Sequence, residues 1–144
     1  MSSTIDDLSM NLASGIAAFE SKHFPHAYEL LLPLAERGEP QAQYRLAIML
    51  QNGLGMVPRP ELAYQWMKAA AEQGHALAQH GLGFMLLHGE CIAQDEAQAA
   101  HWFQCAAQQG LAGSMVTLAT LYEEGRGVAH DEAQARQWYE KAGF

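Results

Sequence analysis

Trp66, Trp102 and Trp138 stand 36 residues apart, and Gly38, Gly74 and Gly110 keep the same interval. Spacing this strict makes the chain an array of one repeated unit. Such a unit buries its apolar face only against its neighbours. Three units follow from the glycines: residues 39–74, 75–110 and 111–144, preceded by a shorter unit over 5–38. The columns agree in size and polarity: Leu46, Leu82 and Leu118; Ala47, Gly83 and Ala119; Met49, Met85 and Leu121; Ala63, Ala99 and Ala135.

Each unit carries two helical periodicities. In the first stretch, Leu46, Met49 and Leu50 fall at i, i+3 and i+4, as do Leu82, Met85 and Leu86, and Leu118, Leu121 and Tyr122. In the second, Ala99, Trp102, Phe103 and Ala106 recur as Ala135, Trp138, Tyr139 and Ala142. We term these helix A and helix B. A glycine loop separates them, beginning at Gly53, Gly89 and Gly125, each placed to end helix A in a left-handed conformation. Asp95 with Gln98, and Asp131 with Gln134, read as N-terminal caps of helix B. Unit 39–74 has Arg59-Pro60 there instead. Proline suits the first helical turn but arginine cannot accept a capping hydrogen bond, so this helix start is expected to be the weakest.

The small columns let helices A and B approach closely, and the aromatic residues fill the seams between pairs. Each tryptophan buries roughly 150–250 Å². At about 25 cal/mol/Å² that is about 4–6 kcal/mol gross. Trp66, Trp102 and Trp138 are therefore expected to staple the core. In unit 5–38, Pro33 falls inside the second helix, where it removes a donor and is expected to bend it.

A chain of 144 residues makes one domain, 1–144, and 49% apolar content suits an all-α fold. No run of 18 apolar residues occurs, so no membrane span is expected. The first residues carry two aspartates and no basic segment, unlike a signal peptide, and the expected location is cytoplasmic. Net charge is −8, with 8 Lys plus Arg against 16 Asp plus Glu, which argues against nucleic acid and favours a basic partner. Cys91 and Cys105 do not recur at the repeat spacing and read as thiols in a reducing compartment.

No motif supplies a reaction. Seven histidines are present, His80 and His88 among them on one helix face, yet no zinc-ligand pattern completes. No serine occupies a nucleophile elbow, and the glycine loops lack the lysine and spacing of a phosphate cradle. The expectation is no catalytic residue, no metal and no cofactor.

The order of Leu118, Ala119, Leu121, Tyr122, Gly125, Gly127, Val128, Asp131, Ala135, Trp138, Tyr139, Lys141 and Ala142 resembles the Sel-one-like repeat, a branch of the tetratricopeptide-like α-solenoids. The likeness covers residues 39–142, while 5–38 looks closer to a tetratricopeptide pair. It implies a right-handed α-solenoid of four antiparallel helix pairs, with helix A lining the concave face. Relatives of this kind mostly act as adaptors that bind proteins or peptides. A cysteine-rich secreted minority is linked to β-lactam binding or hydrolysis. That branch staples each repeat with a cysteine pair, a pattern missing here.

On helix A, positions free of packing duty then face the groove. They are Tyr44, His80 and Val116; Ile48, Phe84 and Thr120; Gln51, Leu87 and Glu123; and Asn52, His88 and Glu124. Tyr44, Ile48, Phe84 and Leu87 make this face apolar, as binding surfaces often are. The alternative is that neighbouring side chains or the N-terminal segment cover them. We therefore expect a non-catalytic interaction scaffold that holds a peptide or helix of another protein, with Glu123 and Glu124 meeting basic residues at the rim. The glycine that would close the last unit falls beyond Phe144, which suggests an open end near Trp138 and Tyr139 and a homodimer through it.

Overall fold

The computed structural model describes residues 5–144 as eight helices: α1 (Ile5–Glu20), α2 (Phe24–Glu36), α3 (Pro40–Asn52), α4 (Pro60–Glu72), α5 (Ala76–His88), α6 (Glu96–Gln108), α7 (Ala112–Glu124) and α8 (Glu132–Lys141). No strand occurs among the described residues. The fold is all-α, built from four consecutive helix pairs. The chain divides into two compact units, residues 1–73 and 74–144. In the first, α1 packs on α2, α2 on α3, and α3 on α4; in the second, α5 packs on α6, α6 on α7, and α7 on α8.

The expected helix ends form. Gly53, Gly89 and Gly125 cap α3, α5 and α7 with φ of +67°, +71° and +65°. Each adopts the left-handed conformation that glycine enters without a Cβ penalty. Asp95 accepts from the Gln98 backbone N–H at 3.1 Å, and Asp131 from that of Gln134 at 3.0 Å. Gln98 does not reach back to the helix start as a full capping box requires. Its Nε2 donates instead to the second Asp95 oxygen at 2.9 Å. Arg59 makes no side-chain cap, as expected. Helix α2 runs on through Pro33 to Glu36.

Apolar burial follows the repeat columns. In the first unit, Ala18, Ala27, Leu31, Leu34, Ala42, Leu46 and Met49 form a core, with Phe19, Phe24 and Trp66 packed against it. In the second, Leu82, Met85, Phe103, Leu118 and Leu121 are fully buried. The tryptophans take a shallower place than expected. Trp66 and Trp102 are only half-buried, although Trp138 is buried, while the following positions Met67 and Phe103 reach the bottom of the core. The small column explains the depth. A Cβ on Gly83 would meet three Phe103 ring atoms at 2.9–3.0 Å, so the ring occupies the volume that glycine leaves.

A repeated polar device accompanies this core. Gln43 is buried and donates to the Ala35 carbonyl at 3.1 Å, while Gln73 Nε2 donates to Gln43 Oε1 at 2.8 Å. In the second unit, Gln109 Nε2 donates to Gln79 Oε1 at 2.9 Å and to the Gly74 carbonyl at 2.8 Å. Each amide pair joins the end of helix B to the start of helix A in its own unit, satisfying polar groups that would otherwise be costly to bury.

Candidate functional site

The residues expected along the groove divide between the units. In the first unit, Tyr44, Ile48 and Gln51 lie on α3, each half-buried. Burial pushes the Tyr44 phenol above its ordinary range, partly opposed by the neighbouring Arg45 charge. Asn52 turns back onto its own helix, its Nδ2 donating to the Ile48 carbonyl at 2.9 Å.

In the second unit, α5 gathers an aromatic cluster. Phe84 is 36% exposed, the most open large apolar side chain on the face read as the groove. It stands edge-on to Phe103 at 5.1 Å and to His80 at 4.8 Å, and stacks on exposed His88 at 5.5 Å. His80 is itself edge-on to Phe103 at 5.4 Å. Edge-on and offset-stacked rings are the arrangements that the aromatic quadrupole favours. Phe84 is therefore both open to a partner and held on three sides.

Leu87 corrects the expected groove: it is only 4% exposed. Helix geometry gives the reason. At 100° per residue, Leu87 lies about 60° round from Phe84 on the side of Gly83, the side that receives α6. The groove face therefore loses one of its four apolar side chains, and neighbouring side chains cover it, as in the alternative given above.

Helix α7 adds a half-buried Val116 and a polar edge. Thr120 Oγ1 donates to the Val116 carbonyl at 3.0 Å and lies 3.0 Å from the Tyr139 hydroxyl, which donates to Glu123 at 3.2 Å. Glu124 is drawn away from the rim, 3.5 Å from Arg126 Nη1. Glu123 thus remains an exposed rim carboxylate, fixed by Tyr139. Three supporting residues escaped the sequence reading as site residues: Phe103, Ser114 and Tyr139. Ser114 alone was signalled plainly, as a serine in a column of alanines with Ala42 and Ala78. It is fully buried and shares a 2.6 Å hydrogen bond with His80 Nδ1, pinning α5 to α7.

Burial pushes the His80 imidazole below its ordinary pKa of 6.5. The unfolded chain therefore takes up this proton first as pH falls. The contribution of His80 is present above pH 6.5 and is lost as pH drops from there through the lowered folded value. We expect His80→Gln to flatten the acid dependence of stability in this window. Urea midpoints for both proteins between about pH 7 and 5 check it, since equal slopes would remove His80 as a contributor.

The last pair differs from the others at the seam where α6 receives α7. In the columns where α6 presents Ala100 and Phe103, α8 presents Arg136 and Tyr139, and a cleft of about 520 Å³ lies among Glu123, His130, Arg136, Glu140 and Phe144. This face is polar rather than apolar. Among the described residues, no three His, Cys, Asp or Glu side chains converge on one point. No described helix is long and apolar enough to cross a membrane. Neither Cys91 nor Cys105 forms a disulfide.

Paired helices, left-handed glycine caps and a 36-residue register define a protein of the helical-repeat solenoid class. The chain belongs to the Sel1 repeat family, whose model matches residues 40–75, 76–111 and 112–143. It is similar to a solved Sel1 repeat protein from Oxalobacter formigenes, with 32% identity and a TM-score of 0.87 over 91% of this chain and 54% of that one. It also resembles c5321, a protective antigen of uropathogenic Escherichia coli strains with an SLR fold, at 30% identity and a TM-score of 0.82 over 98% of this chain and 33% of that one. The chain thus spans about half the length of the first and a third of the second. Helicobacter pylori cysteine rich protein B shares the fold, at 18% identity and a TM-score of 0.61, over 96% of this chain and 89% of that one. No curated protein matches the chain. Proteins built from Sel1 repeats are in general interaction scaffolds without catalysis of their own.

Proposed function

We propose that this chain is an interaction scaffold whose second unit takes a peptide or helix of a partner protein on the α5 face. The observation that carries this reading is Phe84, an exposed ring already held by Phe103, His80 and His88. A side chain ordered before binding loses little further entropy on contact, which is what a hot-spot anchor needs. His88 widens the stacking surface, and Val116 and Thr120 continue the corresponding face on α7. The partner segment carries an aromatic or aliphatic residue for Phe84 and a basic residue for Glu123. The net charge of −8 favours such a segment on encounter.

Phe84→Ala tests the assignment. Its ring is partly open, so the fold should tolerate the change, and binding should weaken by about tenfold or more, corresponding to about 1.4 kcal/mol or more. The measurement is capture of partner proteins from a native lysate by wild type and variant of equal helicity, followed by titration of the captured partner. Equal affinity for the two proteins would remove Phe84 from the interface.

A further inference from the structure

A second surface, separate from Phe84, lies in the first unit where the α3–α4 loop meets the start of α2. Pro25, Tyr28, Leu50, Met56, Val57 and Arg59 surround a depression of about 390 Å³. Its wall is mostly apolar, and Val57 is 79% exposed, the most open large aliphatic side chain among the described residues. The corresponding seam of the second unit has a different chemistry. There Arg126 crosses from the α7–α8 loop to Glu96 at the start of α6, with 2.6 Å between Nε and Oε2. In the first unit the same two columns hold Leu54 and Phe24. Where one seam is closed by an ion pair, the other has apolar side chains packed against the core.

Charge at the mouth is also inverted. Arg59 occupies the column in which the other repeats carry their capping aspartates, Asp95 and Asp131. Its backbone N–H donates to the Leu50 carbonyl at 2.9 Å, which anchors the residue beside the pocket. Its side chain makes no cap bond to α4, and the residue contributes to the lining of the depression. Lys22, His23 and His26 flank Pro25 in sequence, and all three are exposed. A chain with only 8 Lys plus Arg against 16 Asp plus Glu thus places an arginine in the lining of one of its apolar depressions. Neither the nearest acidic residues in sequence, Glu29 and Glu61, nor Lys22, His23 and His26 line the depression, so Arg59 is the charged residue of its wall.

We propose that this depression is a second docking site, taking a partner peptide in which an aliphatic side chain lies next to a carboxylate. The aliphatic group enters among Tyr28, Leu50, Met56 and Val57, and the carboxylate meets Arg59. The charge preference is opposite to that proposed at Phe84, so one scaffold would hold two different peptides.

Arg59→Asp is the decisive variant because it restores the residue type of the other two repeats. The helix start gains the cap seen at Asp95 and Asp131, and thermal stability should rise, so lost binding cannot reflect unfolding. The probe is a displayed library of random dodecapeptides, panned on the full chain. Enriched peptides are then synthesised and titrated by fluorescence anisotropy. We expect enriched peptides that pair an aliphatic residue with Asp or Glu, lose at least tenfold in affinity on Arg59→Asp and on Val57→Asp, and bind Phe84→Ala as they bind wild type. Enrichment of basic peptides only, no enrichment, or equal affinity for Arg59→Asp would overturn the proposal. Peptides that lose affinity on Phe84→Ala and not on Arg59→Asp would overturn it while supporting the α5 face.

Discussion

Truncating Phe103 to alanine is expected to lower the stability of the chain by about 3–5 kcal/mol, the usual cost of deleting a fully buried phenylalanine. The site has little means of collapse. The ring faces Gly83, which has no side chain to move into the space, and the rings of His80 and Phe84 stand edge-on to it. For a domain of this size the midpoint of thermal unfolding should fall by about 10 °C. Phe84→Ala, which removes a ring already 36% exposed, should cost less, because less area is lost from burial and no closed cavity is left. Thermal melts of the two variants followed by circular dichroism give the comparison. A Phe103→Ala protein within about 2 °C of wild type would mean that this ring does not carry the α5–α6 contact. The same substitution has a consequence for binding, because Phe84 loses one of the three groups that hold it.

The depth of Phe103 shows where sequence reasoning reached its limit. The period, the helix pairs and their ends were legible because they depend on local chemistry. A left-handed glycine ends α5 at Gly89, and an aspartate three residues before Gln98 caps α6. Which of two adjacent aromatics goes deepest depends on how the paired helix approaches. The approach is set by Gly83, and the pairing of Gly83 with Phe103 is not written in either residue alone. The sequence therefore points to Trp102 as the staple, while its neighbour Phe103 takes that place. The glutamine pairs were within reach, since Gln43 and Gln79, and Gln73 and Gln109, recur at the repeat interval. Glutamine on a helix ordinarily reads as solvent-facing, and only the recurrence of both partners signals a buried pair.

The candidate site was legible by column and not by residue. Tyr44, Ile48, His80 and Phe84 lie where helix A is not consumed by its own pair, and they are half-buried or exposed. Leu87 shares a column with exposed Glu123 and half-buried Gln51, yet is buried. A column fixes the direction in which a side chain leaves the helix, and its burial then depends on the size of the groups standing beside it. A similar limit hid the first-unit depression. In the sequence Arg59 is a poor cap, and its place in the wall of an apolar pocket depends on the position of Val57 and Tyr28 beside it.

Gly127→Ala is expected to cost about 3–5 kcal/mol, more than any other single-methyl addition in the loops. Two penalties act together. Gly127 has φ +73°, a left-handed conformation that costs an L-residue about 1–2 kcal/mol. The second penalty is steric. A Cβ there would overlap the Glu96 carbonyl oxygen and sit 3.1 Å from the Ala97 nitrogen, so the loop must lift from the start of α6. Lifting it also breaks the Arg126–Glu96 pair, a smaller loss because both side chains are more than a third exposed. Two comparisons separate the terms: Cys91 in the same repeat column and Gly125 in the same loop. Cys91 holds φ +67° with a full side chain, which shows that the backbone conformation alone is tolerated. Gly125 has φ +65°, but its nearest groups lie at 3.4–3.7 Å, so Gly125→Ala should cost only the conformational part, about 1–2 kcal/mol. Urea unfolding of the two alanine variants measures the difference. If Gly127→Ala proves no worse than Gly125→Ala, the loop is not seated on the α6 backbone. If it is at least about 2 kcal/mol worse, close approach at this glycine, rather than its conformational freedom, is what position 127 requires.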